Sequence, residues 1–254
     1  MKNAYLFIGL IPFLASAQFN LYSDFYIAPG TELYITAPST TFESASFITD
    51  HGATGGVVSF AANSQWSNAD HNAHVDGNVK VYSPTQFEFP VGHDNVFQPL
   101  AISAASGVSF LNLDYRHLAH SDLNPSSGLI KIHPAHYWSL NQGSGTAKVH
   151  LSWNAFSNLD TFLNGLTLED LTVVGYKNNA WELIPSALEN NTSNSLLSGA
   201  IVSETPIALN EYNALALAVK GIAGPDGNPS DLPLVAEGVS PNGDGDNDLG
   251  LSKA

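Results

Sequence analysis

Residues 20–38, "NLYSDFYIAPGTELYITAP", decide the fold class. Two short runs rich in Tyr, Phe, Ile and Thr flank Pro29-Gly30. Aromatic and β-branched side chains suit a pleated surface, and a Pro-Gly pair marks a turn. The stretch therefore reads as strand, turn, strand. The same pattern recurs in "GGVVSFAA" (55–62), "GNVKVYS" (77–83), "QFEFPVG" (86–92), "LAISAASGVSFLNLDYR" (100–116), "GTAKVHLSWN" (145–154), "LTVVGYKNNAWELIP" (171–185), "GAIVSE" (199–204) and "YNALALAVKG" (212–221). Many short runs, each closed by Gly, Asn, Pro or Ser, predict an all-β fold, an antiparallel β-sandwich or stacked-sheet domain over residues 18–220. A soft boundary near residue 80 divides that span into two candidate units, and no strict internal repeat is visible. Asn178-Asn179 between two apolar runs predicts a hairpin turn. "TFLNGLTLEDLTVV" (161–174) alone has helical flavour, and Gly165 weakens it.

Composition narrows the function. Of 254 residues, 44% are hydrophobic, enough for a packed core, and only 12% are charged. The formal net charge is −15, with eight Lys plus Arg, of which Arg116 is the one arginine. Duplex nucleic acid is bound by clusters of cations that displace counterions, so nucleic acid is a poor partner. An anionic membrane surface is disfavoured for the same reason. The sequence has no cysteine, which excludes disulfides, thiolate catalysis and Cys-based metal sites.

The two ends carry addresses. "MKNAYLFIGLIPFLASAQ" (1–18) has Lys2, an apolar run from Ala4 to Ala15, and the small-x-small triplet Ala15-Ser16-Ala17. That order predicts a signal peptide over 1–17, cleaved after Ala17. The run is too short for a mature membrane span, and no second long one follows. Composition shifts near residue 221, where Pro and Gly become frequent, and 221–237 reads as a linker. Residues 238–254, "GVSPNGDGDNDLGLSKA", follow it.

Four groups of residues could carry chemistry. In the tail, Asn242, Asp244, Asp246, Asn247 and Asp248 offer oxygens, and Asp244-x-Asp246-x-Asp248 matches the first half of an EF-hand loop. Leu249 stands where that loop needs Gly and no closing Glu follows, so calcium is a weak candidate and a solvated turn the plainer reading. Six of nine histidines form His-x-x-His pairs: His71/His74, His117/His120 and His133/His136. Imidazole is the commonest transition-metal ligand, but on a strand positions i and i+3 point to opposite faces, so the β reading weakens chelation. Trp66, Trp138, Trp153 and Trp181 could build a sugar-stacking platform, against the simpler reading of core packing. No nucleophile elbow, P-loop or dinucleotide fingerprint is present. Glu169/Asp170 and Asp114/Asp122 read as turn and strand-end residues rather than a glycosidase pair, and the chain reads as non-catalytic.

Several segments together resemble surface proteins exported by the type IX secretion system. "HVDGNVKVYSPTQFEFPVGHDNVFQPLAIS" (74–103) matches their pattern of an HVDG turn, an FPVG strand end and an aromatic-x-Pro strand, with Gln98 where Arg often stands. "HYWSL" (136–140), "AKVHLSWN" (147–154), "LTVVGYKNNAWELI" (171–184), "SGAIVSE" (198–204) and "YNALALA" (212–218) are similar to their later strands. "VSPNGDGDND" (239–248) resembles the opening of the gliding motility-associated C-terminal domain, the type B sorting signal. The resemblance implies a secreted, cell-surface cargo acting in adhesion or gliding, with the secretion machinery and outer-membrane proteins as partners. It also implies that 238–254 is the start of a truncated sorting domain. The alternatives are an extracellular carbohydrate-binding or metal-binding module, or a polysaccharide-acting hydrolase. In the resemblance Pro90 fixes a strand exit, Gly92 permits a turn, Asp76-Gly77 is a tight-turn pair, and Phe87, Phe89 and Phe97 pack the core.

Overall fold

A computed structural model describes residues 17–190 and 193–221. Residues 1–16 of the expected leader, 222–237 of the linker and the acidic tail with Asp244, Asp246 and Asp248 lie outside the described residues. Within them the chain is all-β. Its one α-helix is Leu159–Leu163 (α1), and no helix among the described residues is long and apolar enough to cross a membrane.

The first nine strands wind as a coil. One turn comprises β1 (Gln18–Leu21), β2 (Phe25–Ile27) and β3 (Glu32–Ile35), and the next β4 (Ser39–Phe42), β5 (Phe47–Thr49) and β6 (Val57–Phe60). A third comprises β7 (Gln65–Ser67), β8 (Val75–Asp76) and β9 (Asn78–Tyr82). Each strand pairs in parallel with its counterpart one turn on: Gln18 with Ser39 and Ser39 with Gln65, Phe25 with Phe47 and Phe47 with Val75, Glu32 with Val57 and Val57 with Asn78. The result is a three-walled solenoid filled by Leu21, Ile27, Ile35, Phe42, Phe47, Val58, Phe60 and Val75, all buried. The expected antiparallel pairing is therefore corrected here, while the stacked-sheet, all-β class holds. Pro29-Gly30 does not fold β3 back onto β2. It turns the chain a corner from one wall to the next, with Gly30 at φ 72°. Positive φ recurs at Ser44, Gly52, Asn63 and Gly77, at or near other corners.

The remaining strands are β10 (Phe87–Phe89), β11 (Val91–His93), β12 (Val96–Phe97), β13 (Leu100–Ser106), β14 (Phe110–Arg116), β15 (Leu129–Ile132), β16 (Tyr137–Gly143) and β17 (Thr146–Trp153). After α1 come β18 (Leu171–Lys177), β19 (Ala180–Ile184), β20 (Ser186–Leu188), β21 (Gly199–Ser203), β22 (Ile207–Ala208) and β23 (Ala214–Lys220). One wall of the solenoid continues into a mixed sheet of order β3-β6-β9-β14-β16-β23-β18-β19, with β15 on β23. A second sheet has order β10-β13-β17-β21-β20, with β22 on β17. The two share one apolar cluster that includes Leu100, Leu111, Leu113, Trp138, Val149, Leu151 and Leu217. Strand β9 pairs with β6 on one side and β14 on the other, so the sheet runs unbroken through residue 80.

Local pattern explains each layer. In β17, Ala147, Val149, Leu151 and Trp153 face inward, and Lys148, His150 and Ser152 alternate outward. Strands β18 and β23 are buried on both faces. Leu215, Leu217 and Val219 join the main core, while Ala214, Ala216 and Ala218 meet Leu129, Ile132, Val174 and Trp181 in a second cluster. Asn178 and Asn179, at φ 52° and 61°, make the two-residue turn between β18 and β19, as expected. The helical flavour of 161–174 shrinks to α1, which ends at Asn164 (φ 50°) and Gly165 (φ 89°).

The HVDG and FPVG segments are neighbours: Val75 pairs with Val91 and Asp76 with Gly92, in parallel. Pro90 stands where the chain leaves the second sheet for the solenoid wall, its carbonyl accepting from the Val75 N–H. Phe87 and Phe89 are buried, and Phe97 is half-buried. Gly92 does not serve a turn, because it lies within β11. A Cβ there would meet His74 Cδ2 at 2.4 Å and the Val96 carbonyl oxygen at 2.6 Å. Gly92→Ala is accordingly expected to cost about 1–3 kcal/mol of stability by overpacking, measured by urea unfolding. A loss under about 0.5 kcal/mol would show that His74 moves aside freely.

Candidate functional site

Two arrangements of ionisable side chains stand out. The first joins solenoid to sandwich. His51, on the corner between β5 and β6, places Nε2 2.9 Å from Asp76 Oδ1 and Nδ1 2.9 Å from Asp114 Oδ2. Asp114 is wholly buried in β14 and also accepts from Asn141 Nδ2 at 2.9 Å. Arg116 Nε lies 2.6 Å from Asp114 Oδ2, but its N–H is not directed at that oxygen, so the contact is an ion pair. Carboxylates only accept, so His51 donates from both nitrogens and carries a positive charge. Burial alone would lower its pKa. The bonds to Asp114 and Asp76 overcome burial and lift it to about 9. Asp76 is likewise held below the usual carboxylate range, burial being outweighed by its bond to His51.

His51, Asp76 and His93 bring ligand-type atoms within 4.8 Å of one another. Their hydrogen bonds point away from metal binding. His93 Nδ1 accepts the His117 N–H at 3.0 Å, so in the neutral ring the proton sits on Nε2, where a metal would need a lone pair. A cation would also have to displace a proton from His51, which is held against two carboxylates. The group reads as a charged clasp between coil and sandwich.

None of the three His-x-x-His pairs forms a chelate of its own. His71 Nδ1 accepts the Phe97 N–H, whereas His74 Nδ1 bonds the Asp70 carbonyl from a buried position. His120 bonds the Asp122 backbone amid Tyr137, Tyr176 and Trp181. The His133 and His136 rings pack with centroids 4.0 Å apart and planes tilted by 38°. His133 Nε2 bonds the Ser157 carbonyl, and both nitrogens of His136 are buried without a hydrogen-bond partner. Burial drives His133 down to about 4 and His136 well below the usual imidazole value. Trp138, Trp153 and Trp181 are core residues with at most 2% exposure, which corrects the four-indole platform. Asp170 accepts from the Thr167 N–H and Asp122 from the Asn124 N–H, while Asp114 is wholly buried, so Asp170 and Asp122 serve local turns and Asp114 the interior.

The second arrangement lies at an open cleft of about 580 Å³. Trp66 on β7, Gln65, Gln86, Glu88, Ser103 and His150 are among its walls. Trp66 is half-buried, its Nε1 donating to the Glu88 carbonyl at 2.6 Å. Desolvation first, and then the charge of Glu189, push the Glu88 carboxyl above its usual range. Outward-facing His150 of β17 sits between two partners, one on β13 and one just past the end of β20. Its Nε2 is 2.7 Å from Ser103 Oγ, and its Nδ1 bonds Glu189 Oε1. Glu189 directly follows β20, with its backbone tied to Ala200 and Asn194. Ser103 precedes a bulge at which Ala104 takes φ 49°. Such bulges re-aim side chains. Nothing in the sequence singled out Ser103, His150 and Glu189, because no short motif links residues that lie 47 and 39 positions apart.

Comparison of the chain with protein-family models, with curated proteins and with solved structures returns no match.

Proposed function

We propose that this chain is an extracellular cell-surface protein, exported by the type IX route, that engages polysaccharide at the cleft beside Trp66. The observation that supports the binding half is the position of Trp66. It is the one tryptophan of four not buried in the core, and it lines a cleft with Gln65, Gln86 and Asn63. A half-open indole beside amide side chains suits a sugar ring, whose C–H face stacks while its hydroxyls bond. The signal-peptide pattern of 1–17 and the "VSPNGDGDND" signature of 239–248 support the export half. The low cation content favours a neutral or cationic glycan over an anionic partner.

Binding is tested by a glycan array on folded protein, followed by calorimetry on the best hit. Trp66→Ala is expected to weaken that hit at least tenfold with a small change in melting temperature. An array without hits, or unchanged affinity in Trp66→Ala, would remove the cleft as a sugar site. Export is tested in a host that carries the type IX machinery. Surface protease accessibility should vanish when the machinery is deleted, and persistence would overturn the export half.

A further inference from the structure

We propose that Ser103, His150 and Glu189 act as nucleophile, general base and orienting acid, and that they hydrolyse acyl esters carried on neutral sugars. The acyl-transfer step stands on these three side chains. The sugar moiety rests on the reading of the Trp66 cleft given above.

The polarity of the hydrogen bonds carries the inference. A carboxylate accepts, so the His150 proton sits on Nδ1 facing Glu189, and Nε2 is left to accept from Ser103 Oγ at 2.7 Å. That is the tautomer and order a serine nucleophile needs, on any fold. The His150 side chain keeps 22% of its surface exposed, so water could satisfy one of its nitrogens, and two side-chain partners exceed what burial demands. Here three positions distant in sequence converge. His150 is fixed in β17 between β13 and β21, Ser103 sits at the bulge, and Glu189 is anchored through its own backbone. Ser103 and His150 line the same cleft as Trp66, so an ester on a stacked sugar would lie within the cleft that exposes them.

The step balances with water as co-reactant. Ser103 Oγ gives its proton to His150 Nε2 and attacks the ester carbonyl carbon, whose π pair moves to oxygen. The intermediate collapses, the bond to the sugar oxygen breaks, and that oxygen takes the proton from His150. Water then loses a proton to His150 and attacks the acyl-Ser103 carbonyl. Ser103 leaves with the proton restored, giving acid and free sugar hydroxyl. Ser103 and His150 are catalytic residues, and Glu189 is a positioning residue.

The test uses the full chain. A fluorophosphonate probe should add one equivalent to Ser103, located by intact mass and peptide mapping, and p-nitrophenyl acetate should be hydrolysed. Ser103→Ala should lose both, and His150→Gln should lose about 10²–10⁴-fold in kcat. Glu189→Gln should lower kcat at least tenfold with KM and melting temperature unchanged, a split that a merely structural contact would not give. Where Ser103→Ala fails to fold, Ser103→Cys provides the readout, with His150-dependent acceleration of its alkylation by iodoacetamide. Absence of label on folded protein, label elsewhere, or hydrolysis surviving in Ser103→Ala would overturn the relay. Acetate release from acetylated xylan supports the sugar ester as substrate. Hydrolysis of p-nitrophenyl acetate without that release overturns the substrate class and leaves the relay standing.

Discussion

Asp114→Ala should cost about 3–5 kcal/mol of folding free energy, the largest loss expected from any single side chain of the clasp. Asp114 is fully buried and accepts from His51 and Asn141 while pairing with Arg116. Removing it leaves a cationic His51 with Asp76 alone and a guanidinium with no buried counter-charge. A buried charge that loses its partner bears its desolvation cost uncompensated, which is why deletion of one partner outweighs the net worth of the pair. The clasp also bridges His51 and Asp76 of the solenoid to β14 of the sandwich, so the coil should loosen first. Urea unfolding gives the total, and amide exchange should show protection lost in residues 47–60 before β16 and β23. A cost under about 1 kcal/mol, or uniform loss of protection, would mean that the shared sheet alone holds coil to sandwich. Asp114→Asn keeps the shape and an acceptor for Asn141, and is expected to cost less than the alanine change.

How much of this was legible in the sequence differs by layer. Strand existence was plain, because alternation and turn residues are local: β17 reads inward and outward from its letters, and Asn178-Asn179 names its turn. Parallel winding was not legible. Side chains alternate with period two in either pairing sense, and only the connection distinguishes them. The coil turns differ in length, with Gln18 reaching Ser39 and Ser39 reaching Gln65 at unequal spacing, so no repeat declares itself. Corner residues such as Pro29-Gly30 are the types that also make hairpins. For the sites, the sequence drew attention to paired histidines, yet spacing of three in a strand separates them. The histidines that matter, His51 and His150, stand outside those pairs and gain partners only through tertiary contact. The Trp66 position, by contrast, was among the four indoles named from sequence, and burial selected it.

Stability should peak near pH 6.5–7 and fall on both sides, for opposite reasons that separate substitutions can isolate. An unfolded histidine titrates near 6.5. His133 in the fold is depressed to about 4 by burial, and His74, His93 and His136 are displaced the same way, with burial the leading cause in each. Below pH 6.5 the unfolded chain takes up these protons and the folded chain does not. Their contribution is therefore complete above 6.5 and is lost as pH falls toward 4, by about 3 kcal/mol for a shift the size of His133's. Asp76, held low by His51, adds its own loss only below about pH 4. His51 runs the other way. Its folded value of about 9 exceeds the unfolded one, so the folded chain holds the extra proton. That contribution is complete below 6.5 and drains away between 6.5 and 9, by about 2 kcal/mol once solvent screening of its partly open side is allowed for. Urea midpoints measured from pH 4.5 to 9 should trace the resulting dome. His51→Gln should flatten the alkaline limb and leave the acid limb sloping, whereas His133→Gln should shallow the acid limb alone. The slopes report the linkage even where a substitution lowers stability at every pH. An alkaline limb unchanged in His51→Gln would show that His51 is neutral in the fold, and the clasp between coil and sandwich would then be a hydrogen-bonded contact without a charge at its centre.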